Sequence, residues 1–405
     1  MLKWIKSNQK KSWIALIFLS IIIVEVIRMP LDIVEDDTKQ QGLSVKSFGA
    51  IGDGITDDTK AIEEAFNSKK AEVIYFPSGT YKITSTINVK PGKPRLVLGD
   101  SDVVISAKLA AGQNLFVLNR NISFENIDFD FNNGFLQYGI YFNADLGEIT
   151  LKNLKFKNVK DTNSLGGTIV VYILTKGNQV NVSDIHFEDM LKKGNGVITD
   201  WAGNITCLYV KGSGKFSEVA GKIKGVRIKN IHNIDADNNI IHEDTSGIYV
   251  FSSESNDKND IEITNVYGYN FGKRLIKLDA SNVKIKKVFA YSDTNDALSA
   301  ILVYSGEGEG NNIITDVKIR GGIYAALVAA GSNTIFRDID IKLEKTTFSG
   351  ENPNTGILIM TEDVLVEKVD IEAERPIFLQ QNSNSVKPLK NTRVKDTTFY
   401  VPVIE

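Results

Sequence analysis

At 405 residues the chain is long enough for two or three ordinary domains, or for one solenoid, which grows by stacking. A hydrophobic fraction of 42% and a charged fraction of 24% are ordinary for a folded soluble body. A net charge of −3 argues against nucleic acid as a partner, and the single cysteine, Cys207, excludes an intramolecular disulfide framework and a cysteine-based zinc site.

In chain order, Lys3, Lys6, Lys10 and Lys11 precede an apolar run from Trp13 to Val24, and Asp32, Glu35, Asp36 and Asp37 follow it. Basic residues before and acidic residues after predict a signal anchor or signal peptide over 1–34, with the N-terminus in the cytoplasm. Residues 35–43 read as a polar tether, and 44–405 as the body outside the cytoplasm, periplasmic or extracellular. The body is secreted if the segment is cleaved. The membrane is therefore an expected partner.

Residues 44–84 read as a cap followed by the first strands. Gly52 and Gly54 mark a turn and do not form a phosphate loop, which needs a Gly-Lys-Ser/Thr ending. Thr56 is placed to N-cap a helix whose first turn holds Asp57 and Asp58. Ala61, Ile62, Ala65 and Phe66 then form its apolar stripe. Asp53, Asp57 and Asp58 are read as turn and cap residues without a chemical role.

From about Asn121 one unit recurs: an alternating β-branched or aromatic run, an Asn or Asp, and a second alternating run. Examples are 122–129, 149–156, 226–231, 261–266 and 364–371. The spacing is roughly 20 to 45 residues, the range of solenoid repeats. Alternation buries one face of each strand, and Asn or Asp tolerates the left-handed backbone of a tight bend. A second strand class lies between these units, as in 139–142, 169–172, 247–251, 275–278, 301–304 and 356–359. The fold class is all-β, a stack of parallel rungs behind a capping helix.

The run Phe48-Gly49-Ala50-Ile51-Gly52-Asp53-Gly54 through Ile62, with Phe76-Pro77-Ser78-Gly79-Thr80-Tyr81, resembles the N-terminal signature of the pectate lyase superfamily. That group includes polygalacturonase-like glycosidases and phage tailspike depolymerases. The resemblance implies a right-handed single-stranded parallel β-helix acting on polysaccharide. It alone brings calcium and a trimer into view; no cofactor is expected from the residues themselves. The polygalacturonase triplets and the acidic calcium cluster of pectate lyases are not found in this sequence.

Hydrolysis of a polysaccharide needs two carboxyl groups, and elimination from a uronate needs a base and a cation on the sugar carboxylate. In stacked rungs such groups come from different rungs on one face. Asp200, His242, Asp244 and Asp279 are the candidate catalytic residues, with Trp201, Tyr249, Arg274, Lys277 and Tyr304 lining the substrate. Under hydrolysis Asp200, Asp244 and Asp279 supply acid and base. Under elimination His242 or Tyr249 is the base, and Arg274 or Lys277 neutralises the uronate. Glu243, Glu307 and Glu309 border the same strands, whereas His186 and His232 read as structural or surface residues. The expected activity is that of a glycoside hydrolase or polysaccharide lyase. The alternative is a glycan-binding surface scaffold on the same fold.

Overall fold

The computed structural model describes residues 42–70, 72–110, 112–134, 136–143, 147–161, 167–193, 205–212, 218–235, 237–241, 244–252, 259–294, 296–304, 310–344, 354–380 and 392–400. The expected anchor and all but the end of the tether lie outside these residues, as do Asp200, Trp201, His242, Glu243, Glu307 and Glu309. Among the described residues no helix is long and apolar enough to cross a membrane.

The body, Gly42–Glu405, is a parallel β-helix. Among the described residues its strands pair into a long sheet of 17 and a short sheet of 11, each strand hydrogen-bonded to its counterpart one rung away. The short strand Ile240–Ile241 is the exception, pairing antiparallel with Ala220–Ile234.

The recurrent Asn or Asp does what its residue type predicts. Asn126, Asn153, Asp184, Asn265, Asp316, Asp338 and Asp396 all have φ between 48° and 60°, and they stack in register. Gly225, Lys287 and Lys368 fill the same column, also at positive φ. Asn153 donates its amide to Asn126 at 2.9 Å, so the bend is also a side-chain ladder. A second bend follows five residues on at Asn158, Asp189, Asn230 and Asn270. Asn158 and Asn230 there donate to Asp130 and Asp189 at 3.0 and 2.8 Å.

Alternation carries the apolar residues inward as columns. Phe129, Phe156 and Phe187 stack at centroid separations of 4.8 and 5.1 Å with nearly parallel rings. In the short sheet Ile140, Val171, Leu208, Ile248, Ile276, Ile301, Leu327 and Ile357 form one buried column. Full burial of each aliphatic side chain stabilises by roughly 1.5–3 kcal/mol, so the columns carry most of the fold's free energy.

At the N-terminal end helix α1, Thr59–Asn67, covers the first rungs. Ile62, Ala65 and Phe66 face the core as expected, and Phe66 stacks on Phe116 at 5.4 Å. The helix start differs from the sequence reading. Thr56 lies in the strand Asp53–Asp57, and the N-cap is Asp58, whose side chain makes no cap bond. Asp58 instead accepts from the backbone N–H groups of Ile51 and Gly52 at 2.6 and 3.1 Å, and Asp57 accepts from the N–H and hydroxyl of Thr59. A buried carboxylate satisfies the glycine turn first, because two unpaired N–H groups there cost more than a frayed helix end. The glycine of that turn is required: Gly52 has φ +73°, and a Cβ on it would lie 2.9 Å from the Tyr81 ring.

Candidate functional site

Between the inward columns of the short sheet runs one outward column. It reads Tyr141, Tyr172, Tyr209, Tyr249, Lys277, Leu302, Val328, Leu358 and Phe378, one residue per rung. Ile248 and Val250 face the core on either side of Tyr249, and Ile276 and Leu278 do so beside Lys277, so period two places both residues outward.

The tyrosines form a ladder. Centroids are 5.0 Å apart from Tyr141 to Tyr172, 5.1 Å to Tyr209 and 4.6 Å to Tyr249, and the last three rings are within 10° of parallel. Lys277 ends it, its Nζ 4.4 Å from the Tyr249 centroid, a cation–π contact. Tyr209 and Tyr249 are buried, and burial pushes both phenols well above the usual tyrosine range, with Asp279 adding to the rise. The Tyr172 phenol is pushed up to about 12, mainly by burial.

Asp244, 1% exposed, sits where the chain enters the strand Thr245–Phe251. Its Oδ1 is paired with Arg274 and lies 3.7 Å from Lys273 Nζ; its Oδ2 lies 3.9 Å from Lys277 Nζ. Oδ2 has no hydrogen-bond partner among the described residues. Burial lowers the Lys277 pKa, against the opposing pull of Asp244. Three cations thus converge on one carboxylate at the end of an aromatic ladder. Of the residues singled out in the sequence, Asp244, Tyr249, Arg274 and Lys277 come together, with Asp279 close enough to act on the phenols by its charge. Tyr304 follows the next strand, 51% exposed, its N–H donating to the Leu278 carbonyl at 2.7 Å, and takes no part in the ladder.

The sequence offered no sign of a second buried group at the same corner. His232 Nδ1 meets Asp296 Oδ2 at 2.8 Å, both side chains at most 5% exposed. Asp296 Oδ1 accepts from the Thr294 hydroxyl at 2.6 Å, and Thr294 in turn contacts the Ser292 hydroxyl at 2.9 Å. Asn233, next to His232, donates to Thr245, next to Asp244, at 2.6 Å. The partners are 64 residues apart in sequence, so only rung stacking brings them together. His186 lies elsewhere, half-buried on the long sheet, its pKa lowered by burial and by the nearby cations Arg227 and Lys155.

Chemically, a carboxylate sealed among three cations is a strut. Oδ1 is engaged by Arg274, and Oδ2, although it has no hydrogen-bond partner among the described residues, is buried, which keeps both oxygens from solvent. What the cluster presents outward is the small exposed part of Arg274 and Lys277, 12% and 10% of each side chain, beside aromatic rings. Among the described residues no group of three or more His, Cys, Asp or Glu side chains gathers as a metal site.

Residues 42–105 match the family described as Rhamnogalacturonase A/epimerase, pectate lyase-like. The pre-neck appendage protein of Bacillus phage phi29 is 36% identical over 113 residues, which are 26% of this chain and 13% of that protein. A probable glucan endo-1,3-beta-glucosidase of Arthroderma benhamiae is 52% identical over 56 residues, 14% of this chain and 6% of that enzyme. The chain thus covers only a small part of the length of either relative. Among solved structures, PfbA, a surface adhesin of Streptococcus pneumoniae, aligns with 89% of this chain and 90% of its own at a TM-score of 0.52 and 14% identity, a likeness of fold alone. The first rungs are therefore pectate lyase-like in sequence, and the solenoid that follows is a parallel β-helix similar in fold to PfbA.

Proposed function

We propose that the chain is a carbohydrate-active β-helix protein, exported and held at the membrane by residues 1–34, that cleaves or modifies an acidic polysaccharide along the outer face of its short sheet. The observation that carries this reading is the convergence of Lys273, Arg274 and Lys277 on Asp244 beside Tyr249. The pectate lyase-like match and the glucosidase relative support carbohydrate as the ligand class.

The geometry favours elimination over hydrolysis. In elimination a cation neutralises the uronate carboxylate, and the adjacent carbon-bound proton becomes acidic. A base removes it, a carbon–carbon double bond forms, and the glycosidic oxygen leaves. Lys277 and Arg274 suit the cation's part. The raised phenol pKa of Tyr249 opposes its use as the base, which leaves His242 for that role. Of the three carboxyl candidates for hydrolysis, Asp244 is opposed by its contacts with three cations, which leaves Asp200 and Asp279 for that route.

The test is incubation of residues 42–405 with a panel of polyuronates and neutral glucans. Elimination produces ultraviolet-absorbing unsaturated ends from polyuronates, and Lys277→Met slows it at least tenfold. New reducing ends without that absorbance, from any member of the panel, would refute the elimination reading. Glycan binding without products would support the second reading, a glycan-binding surface protein, which the engagement of Asp244 by cations favours.

A further inference from the structure

The outer face of the long sheet carries a different feature, none of it shared with the Asp244 cluster. Along this face many charges are matched across rungs: Lys152 with Glu125, Lys157 with Asp130, Lys155 and Lys229 with Glu188, Arg320 with Asp340, and Arg337 with Glu367. Over the strands Ala220–Ile234, Val283–Ser292 and Asn312–Gly321 the pattern changes. Lys222, Lys224, Arg227, Lys284, Lys286, Lys287 and Lys318 are all exposed, and none forms an ion pair with a described residue. The acidic residues on and beside these strands are fewer: Asp260, Glu262 between Lys222 and Lys284, Asp293 at the Tyr291 hydroxyl, Asp316, and Asp340, the register neighbour of Lys318 that pairs with Arg320. This leaves a local surplus of positive charge on a chain whose net charge is −3.

Aromatic residues sit inside that surplus. Tyr267 and Phe289 are register neighbours, and so are Tyr269 and Tyr291, which makes a tile two rungs deep. Tyr269 is 44% exposed and stacks on Tyr291 at 5.3 Å. Arg227 precedes Tyr267 in its column, 5.7 Å from the ring, and Lys318 follows Phe289. The two unpaired cations thus bracket the tile, three rung steps or roughly 14 Å apart. Stacked phenols present ring edges and hydroxyls, a contact suited to sugars, which are apolar on one face and hydroxylated at the rim.

We propose that this face is a second binding surface, for an anionic polysaccharide laid along the solenoid axis. Sugar rings rest against Tyr269 and Tyr291, and carboxylate or sulfate groups meet Arg227 and Lys318, with Lys224 and Lys286 across the bend. The surface captures polymer without cleaving it. Because it shares no residue with the short-sheet cluster, the two readings stand or fall separately.

Affinity electrophoresis through gels containing sodium polygalacturonate tests it, with neutral dextran as control and thermal melts to confirm folding. Wild type is expected to be retarded by polygalacturonate and not by dextran. Arg227→Glu/Lys318→Glu is expected to weaken retardation at least tenfold and Tyr269→Ala severalfold, while Lys277→Met, which removes only a short-sheet cation, still leaves the chain retarded. The proposal is overturned if the double reversal migrates like wild type, if wild type is not retarded, or if Lys277→Met alone abolishes retardation. Equal retardation by dextran, or displacement by single-stranded DNA as effective as by free polygalacturonate, would overturn it as well.

Discussion

Replacing Asp244 by Asn keeps the shape and removes the charge that three cations surround. Asp244 is 1% exposed, and the side chains of Lys273, Arg274 and Lys277 are 6%, 12% and 10% exposed. Water therefore cannot take over the carboxylate's role. Breaking a buried pair from one side costs about 3–5 kcal/mol, most of it the penalty of leaving charge buried without its partner. With an unfolding entropy of about 2.1 cal/mol/K per residue, a unit the size of Gly42–Glu405 should lose roughly 4–7 °C in Tm. Adding Arg274→Met removes one stranded cation, so the double variant should be more stable than the sum of the single changes by about 0.5–3 kcal/mol. Differential scanning calorimetry of the four proteins closes the cycle. A Tm within 1 °C of wild type for Asp244→Asn, or strict additivity in the double, would refute the claim that these charges form one buried unit.

Other outcomes follow from the bends, the cap and the surface ladder. At Asn153, φ 50°, replacement by Val should cost about 1–2 kcal/mol while Gly stays near neutral, measured by denaturant melts. Phe66→Ala should remove about 3–5 kcal/mol of packing between α1 and the core, read as faster amide exchange at Phe116–Leu118 and in α1 with the distant rungs unchanged. Glu188 is held at about 2, below its ordinary 4.5, chiefly by its hydrogen bonds to Lys229 and Lys155. Its folded-state pKa is depressed, so its contribution is present above pH 4.5 and is lost as pH falls toward 2. Glu188→Gln should therefore flatten the stability–pH curve within that window and leave its shape above the window unchanged.

What the sequence made legible was whatever repeats locally. Period two located the inward columns. An Asn located the first bend in 122–129, 149–156 and 261–266, because few other side chains accept that backbone, whereas in 226–231 the Asn marks the second bend and in 364–371 Lys368 takes the first. The second bend, five residues on at Asn158, Asp189 and Asn270, carried the same signal and was hidden by the continuous alternation around it. The helix start was misplaced because Thr56, Asp57 and Asp58 satisfy a capping rule, yet other partners claim their oxygens: the Thr56 hydroxyl donates to Asp53, and the two carboxylates are held by a later rung and by the preceding turn. Asp57 bonds Thr84, and Asp58 bonds the glycine turn. The same limit governs the candidate site. Asp244 reads as a loop carboxylate until Arg274, 30 residues later, is stacked on it, and His232 reads as an ordinary strand residue until Asp296 reaches it.

The column of left-handed residues acts as a phase mark for the whole solenoid. Successive marks are separated by unequal lengths of chain, 22 residues from Asn265 to Lys287, then 29 to Asp316, 22 to Asp338 and 30 to Lys368, yet each returns to register with the one before. Chain length is thus absorbed entirely outside the marked strands. Evolution can lengthen one excursion, or swap its chemistry, without disturbing the phase of any other rung. A single residue inserted beside a mark would instead shift every column downstream in that strand by one face. The fold is edited in whole excursions, and new function enters it the same way.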